Sequence, residues 1–312
     1  MARPEGAPIG IARVGRMLTV TKRSRYHTVQ HSLTALGVAL VPAIGWGVMF
    51  FFLTQAVRDM DVLAAQLLFQ LAGIPMLLLL IPLVPHAPVT LNLPLLLLDG
   101  ALETFALTLY FYALRVGKLT IVGPIYQANV AITVALAVIV FHEHLYSLRI
   151  LGIAVVVTGI ALLGVQVSGR QRGALHRGVA PALLATLGTG VYLFLVSISS
   201  RLSGWFYTSL GIRVTIAFTI LCWLVATRRR SISLFRDVPW RYLGAAAGLD
   251  VFAFSTFNWA VTRYDISYVA VMSAAWPVVS TVLAVVCLRE RLTLRQVAGL
   301  LLVLVGVVGL NA

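Results

Sequence analysis

The chain has 312 residues, of which 60% are hydrophobic and only 11% charged, and its mean hydropathy is +0.96. A water-soluble domain cannot hide that much apolar surface, so composition excludes a soluble globular protein and points to one that faces lipid. The net charge of +14 lies mostly in a tail and in loops. There it suits anionic headgroups rather than nucleic acid, because no zinc-finger spacing and no series of aromatics among arginines accompanies it.

Residues 1–32 form a basic tail, with Arg3, Arg13, Arg16, Lys22, Arg23 and Arg25 against a single acid, Glu5. Without an apolar h-region it reads as a tail at the cytoplasmic surface rather than a signal peptide. Ten apolar runs follow, at roughly 33–55, 62–83, 94–114, 119–140, 149–166, 179–198, 206–226, 240–261, 267–288 and 294–311. Each is about 20 residues long, the length a crossing helix needs, and none alternates as a barrel strand does. Lipid offers the backbone no hydrogen-bond partner, so the predicted fold is an all-α membrane protein of about ten transmembrane helices.

The runs repeat. Residues 101–165 align without a gap on 248–312 at a shift of 147, with about 15 identities in 65 positions. The polar and small matches carry the case: Glu103 on Asp250, Thr108 on Ser255, Thr120 on Ser267, Thr133 on Ser280, Glu143 on Glu290, Gly152 on Gly299 and Gly159 on Gly306. Earlier positions match at a shift of 143: Gly45 on Gly188, Gly47 on Gly190, Phe51 on Phe194, and Gln70 on Arg213. The expected units are therefore 33–166 and 179–311, each of five spans. Five is odd, so the second copy enters the bilayer in the opposite sense. The result is an inverted repeat, a design in which the substrate site lies near the midplane between the copies.

In chain order, Trp46 comes first, between Gly45 and Gly47 in span one. Packing is its first reading and contact with a solute the second. Glu103 lies near the middle of span three and Asp250 near the middle of span eight. An acid at that depth is costly and normally faces a cavity or a partner. The functional reading is a pair that couples protons or recognises a cation; the plain reading is a hydrogen-bonded structural acid. Tyr110 follows Glu103 by seven positions on the same helix face and is a weaker lining candidate.

Span four carries Tyr126, Asn129 and Thr133 at i, i+3, i+7, with Gln127 alongside, and the shifted positions in span nine are Ser273, Trp276 and Ser280. Such a stripe turns away from lipid, to line a pathway or to hold helices together. Pro124 and Pro277 lie in the same two spans but do not align, so proline is not read as a repeated device. Arg213 stands about eight residues into span seven, as a fork for an anionic solute or as a partner for Asp250 or Glu103. Asn258 and Trp259 read as an interfacial anchor.

Glu143 and Glu290 precede the last span of each half and read as structural, favouring that helix's N-terminal dipole or pairing with Arg149 or Arg291. His142 and His144 flank Glu143, but their spacing is poor for a metal, and no cofactor is expected. Cys222 and Cys287 fall inside apolar runs and read as buried, inert thiols.

The segments F-H-E-H-L-Y-S-L-R-I-L-G-I-A-V-V-V-T-G-I and L-R-E-R-L-T-L-R-Q-V-A-G-L-L-L-V-L-V-G-V resemble the EamA-like part of the drug/metabolite transporter superfamily. The shared pattern is a Glu–x–Leu turn before a glycine-spaced last helix, carried by Glu143, Gly152 and Gly159, then by Glu290, Gly299 and Gly306. The family favours an arginine early in the second helix of each half. Arg213 fits, while Gln70 departs and puts a symmetric arginine role in doubt. Over roughly 33–311 the resemblance implies ten helices, alternating access, and movement of amino acids, metabolites or drugs.

No G-x-x-x-x-G-K-[ST] loop occurs, so active transport would draw on an ion gradient. The expected function is a secondary, non-enzymatic exporter in the bacterial inner membrane. Its partners would be a small solute and the bilayer, with a homodimer left open. An intramembrane enzyme acting on a lipid-linked substrate and a non-transporting scaffold remain the rivals. Orientation is contested: the tail argues for both termini in the cytoplasm, while Arg170, Arg172, Arg177 and Arg228–Arg230 argue for the reverse.

Overall fold

The computed structural model describes residues 33–58, 60–84, 91–117, 119–143, 147–164, 172–227, 237–288 and 293–309. Among these the chain is helical throughout, in twelve α-helices and one short 3₁₀ turn at Ile81–Leu83. In chain order they are α1 (Leu33–Val57), α2 (Val62–Leu78), α3 (Leu93–Val116), α4 (Leu119–Gln127), α5 (Asn129–Phe141), α6 (Ser147–Gly164), α7 (Arg172–Ser203), α8 (Trp205–Ala226), α9 (Trp240–Val261), α10 (Ile266–Ser273), α11 (Trp276–Leu288) and α12 (Leu294–Gly309). The count exceeds ten because spans four and nine are each broken in two, as α4–α5 and α10–α11.

Among the described residues, five stretches are long and apolar enough to cross a bilayer by themselves: Leu40–Val57, Leu93–Val116, Gly178–Ser203, Trp205–Ala226 and Ile266–Cys287. Polarity is arranged for lipid. Leu97, Phe105, Leu187, Phe218, Trp223, Phe252 and Val305 are exposed, whereas Gln66, Gln70, Asp99, Glu103, Arg213 and Asn258 are buried. Cys222 and Cys287 also lie on the exposed side. This corrects their reading as buried thiols: an apolar run has an outer face too.

Local chemistry fixes the ends. Asp61 caps α2 by accepting from the backbone N–H groups of Leu63 (3.0 Å) and Ala64 (3.2 Å). Asn92 caps α3 through Leu95 N–H at 3.2 Å, with proline in the first turn. Gly204, at φ 79, turns α7 into α8 in a conformation that side-chain-bearing residues rarely adopt.

The repeat is written into the packing. A Cβ on Gly45 would meet Ala253 Cβ at 2.7 Å, and one on Gly188 would meet Ala106 Cβ at 3.0 Å. Gly47 abuts Val279 and the Trp276 carbonyl, and Gly190 abuts Ile132 and the Asn129 carbonyl. Gly159 lies against the Gly299 carbonyl and Val303, and Gly306 against the Gly152 carbonyl and Val156. In every pair the second contact is the first moved by the sequence shift. Small residues let helix backbones close up where lipid gives no hydrophobic drive to associate. Thus α1 packs on α9 and α11 of the second half, and α7 packs on α3 and α5 of the first. The halves interleave, and α6 and α12, the last span of each, pack on one another.

Candidate functional site

The two broken spans shape the centre. At the first break the Ala128 N–H bonds the Ile125 carbonyl (3.2 Å) and the Ala131 N–H bonds that of Ala128 (3.1 Å). At the second, Ala275 N–H bonds Met272 (3.3 Å) and Val278 N–H bonds Ala275 (3.0 Å). The pattern is the same at a shift of 147, although the prolines are not. Pro124 precedes its break by four residues, and Pro277 follows its break inside the first turn of α11. The break, not the proline, is therefore the repeated device. Non-helical backbone at such depth is tolerated where it is buried or lines a cavity. Asn129 meets part of that need by donating from Nδ2 to the Tyr126 carbonyl at 2.7 Å.

Around these breaks lies a cavity whose empty space, counted with its open mouth, is about 810 Å³. Its walls include Trp46, Phe50, Gln70, Glu103, Tyr126, Gln127, Asn129, Thr189, Tyr192, Arg213, Asp250, Phe254, Ser273 and Trp276. Both halves contribute.

The charges are unequally matched. Arg213 is 2% exposed and donates from one terminal nitrogen to Asp250 (2.5 Å) and from the other to Gln70 (3.0 Å). The Trp46 indole N–H donates to the other Asp250 oxygen at 3.1 Å. Asp250 is thus held from two sides. Glu103 Oε2 is buried and finds no hydrogen-bond partner among the described residues. Gln70 and Arg213, equivalent positions in the two halves, touch each other, so the pseudo-two-fold axis passes between them.

Aromatic rings build the rest. Phe50 sits 4.3 Å from Trp276 and 6.1 Å from Tyr126, centroid to centroid. The Tyr126 hydroxyl accepts from Thr189 Oγ1 at 3.1 Å. Helices α5 and α11 begin at Asn129 and Trp276, both on the wall, so two helix N-termini, with their partial positive charge, end at the cavity.

Most residues singled out in the sequence meet here: Trp46, Glu103, Tyr126, Gln127, Asn129, Arg213, Asp250, Ser273 and Trp276. Three do not. Thr133 Oγ1 bonds the carbonyls of Asn129 (3.2 Å) and Gly190 (2.9 Å), tying α5 to α7. Ser280 bonds its own helix at Pro277 O, 3.1 Å away. Tyr110 is fully buried and stacks behind Tyr126 at 3.8 Å, one layer from the cavity. Both Thr133 and Ser280 lie a further turn along from the break, where neighbouring helices close over the stripe.

Asn258 is not an interfacial anchor: it is buried and donates to Ser209 Oγ at 2.9 Å. Glu143 is structural, and among the described residues its partners lie in the other half. It accepts from the N–H groups of Ile266 (3.0 Å) and Ser267 (3.1 Å) and from the Ser267 hydroxyl (2.6 Å), at the start of α10 in the other half. Glu290, Arg291 and His144 lie outside the described residues.

Sequence reasoning missed Asp99, Thr189, Tyr192, Phe50 and Phe254. Asp99 faces Ala246 in the repeat alignment, so a search for matched acids passes over it. Its signal was present nonetheless, as a second carboxyl one turn from Glu103 inside an apolar run.

An interleaved pair of inverted five-helix units around a largely apolar central cavity that holds Glu103, Arg213 and Asp250 defines a multi-pass membrane protein with the build of a transporter. The model of the EamA-like transporter family matches residues 33–165 and 176–312, and the chain belongs to that family. It is 30% identical over 136 residues to the uncharacterized protein MJ1333.1 of Methanocaldococcus jannaschii. That match takes in 42% of this chain and 97% of the shorter relative. A solved crystal structure shares the fold at a TM-score of 0.67 and 18% identity, over 88% of this chain and 96% of the other.

Proposed function

We propose that the chain is a secondary transporter that exports small metabolites, amino acids foremost, by alternating access coupled to protons. The observation that carries this reading is the central cavity where both halves meet, with one buried carboxyl, Glu103, left without a hydrogen-bond partner among the described residues. A zwitterion suits such a wall. Its ammonium would face Glu103 and the aromatic rings, and its carboxylate the helix N-termini at Asn129 and Trp276. A proton on Glu103 would compete with that ammonium, which ties solute to proton. The basic tail supports termini on the cytoplasmic side of a bacterial inner membrane.

The experiment begins with thermal stability of the purified chain across amino acids, nucleosides, sugars and amines, since a bound ligand stabilises by mass action whatever the direction of transport. The hit is then followed as flux in proteoliposomes. Glu103→Gln is expected to fold and to lose proton-driven flux. Wild-type flux in that variant, or no stabilisation by any amine-bearing solute, would sink the reading.

A further inference from the structure

Asp99 is 0% exposed, lies one helical turn before Glu103 on α3, and forms no part of the cavity wall. Residues four apart share a helix face, so the two carboxyls follow one another along the inner side of α3. Asp99 Oδ2 accepts a hydrogen bond from the Ser199 hydroxyl of α7. Asp99 Oδ1 has no partner among the described residues, and neither has Glu103 Oε2. Each acid thus leaves one buried oxygen without a partner among the described residues, which is costly at such depth.

The polar line continues past Asp99. Ser199, Ser200 and Ser203 are 0%, 1% and 0% exposed, and Ser203 follows Ser199 by one turn of α7. Ser203 Oγ accepts the Asn92 N–H at 3.4 Å, at the very start of α3, where the chain comes to the surface beside exposed Leu91. The first turn of α8 adds Thr208, fully buried, whose hydroxyl has no partner among the described residues. Two cations on the flanking helices, Arg201 and Arg213, have other partners. Arg201 of α7 donates to the Val261 and Tyr264 carbonyls at 2.9 and 3.2 Å, and Arg213 of α8 donates to Asp250 and Gln70. Glu103 is the neighbouring acid.

We propose that Asp99 relays protons between Glu103 and the membrane face at the start of α3, by way of Ser199 and Ser203, on a route separate from the path of the solute. The inference rests on the proton-coupled reading above. In one step the Glu103 O–H breaks and an Asp99 O–H forms, leaving Glu103 as the carboxylate. Asp99 then donates to Ser199 Oγ, which passes its own hydroxyl proton on toward Ser203 and solvent, so the serines end unchanged. A file of buried hydroxyls conducts a proton and is too closely packed to admit a solute. The cavity can therefore stay closed to this face while its acid still exchanges with it.

The test uses the full chain in lipid nanodiscs and the proton itself as probe. After a pH jump, the infrared band of the protonated carboxyl is followed in time, with Glu103→Gln and Asp99→Asn assigning the two bands. In Asp99→Asn the Glu103 band is expected to relax about tenfold more slowly, the mark of a barrier ~1.4 kcal/mol higher, while its final amplitude is kept. Ser199→Ala, which keeps both acids, is expected to slow it in the same sense and provides the comparison should Asp99→Asn fail to fold. Relaxation at the wild-type rate in either variant, or an Asp99 band that ignores pH, overturns the relay. No solute enters the measurement, so its failure leaves the transporter reading standing, and an absence of solute flux leaves the relay to be judged by these rates.

Discussion

Arg213 and Asp250 show how a membrane interior treats charge. A buried guanidinium needs an anion and further acceptors, and Asp250 with Gln70 supplies them. Removing only one member leaves the other charge unmatched. Arg213→Gln is therefore expected to lower stability by on the order of 3 kcal/mol. The loss would be read as a fall in folded yield and melting temperature. Adding Asp250→Asn to it should restore part of the loss. A variant with normal yield but weakened solute binding would instead mean that Arg213 serves the solute directly. Glu103, Asp250 and Arg213 were legible because a charge inside an apolar run is conspicuous. Whether Tyr110, Thr133 and Ser280 line the cavity or hold helices together was not legible, because a helix face does not reveal which neighbour covers it. Phe50 and Phe254 gave no polar signal at all.

At the scale of elements, the glycines and the breaks do the organising. Gly47 sits against the broken span nine and Gly190 against the broken span four, each where a Cβ would come within 2.5 or 2.6 Å of a β-branched side chain. Gly47→Ala and Gly190→Ala should each cost about 1–3 kcal/mol through overpacking, visible as a lowered melting temperature in detergent. Gly244, with nothing within 4 Å of its Cβ position, provides the control. Gly244→Ala is expected to be neutral or to gain about 1 kcal/mol from helix propensity. Equal losses at all three would mean that the close contacts carry no weight. Span positions could be read to within a few residues because their apolar runs end at charges and turn formers. The breaks could not, since an i→i+3 turn between alanines leaves no compositional trace, and the misaligned prolines pointed away from symmetry.

At the scale of the molecule, the loop after α5 in one half clasps the start of α10 in the other through Glu143. Those bonds to backbone N–H groups at a helix N-terminus are charge-assisted. They tie the halves together at the membrane face where α3 begins. Alternating access would have to loosen this tie once per cycle. With Cys222 and Cys287 replaced by serine, Glu143→Cys and Ser267→Cys joined by a short bifunctional thiol reagent should halt solute flux, while each single variant under the same reagent continues. Flux that survives the bridge would show that this tie stays closed throughout the cycle and that the halves part elsewhere. The duplication was legible because it is a property of order along the chain. The exchange of the first span between halves was not, since it depends on which glycine meets which ridge.

The contact between Gln70 and Arg213 has one more consequence. A carrier made of two identical inverted units would have two end states of equal energy, each obtained from the other by swapping the roles of the units. Here one unit brings a guanidinium to the axis and the other an amide, so the ion pair with Asp250 has no twin at Glu103. Under the alternating-access mechanism proposed above, the outward- and inward-facing forms would then be unequally populated at rest. Such a bias would fix which side the empty carrier awaits its cargo on, while the gradients alone would decide which way the cargo finally moves.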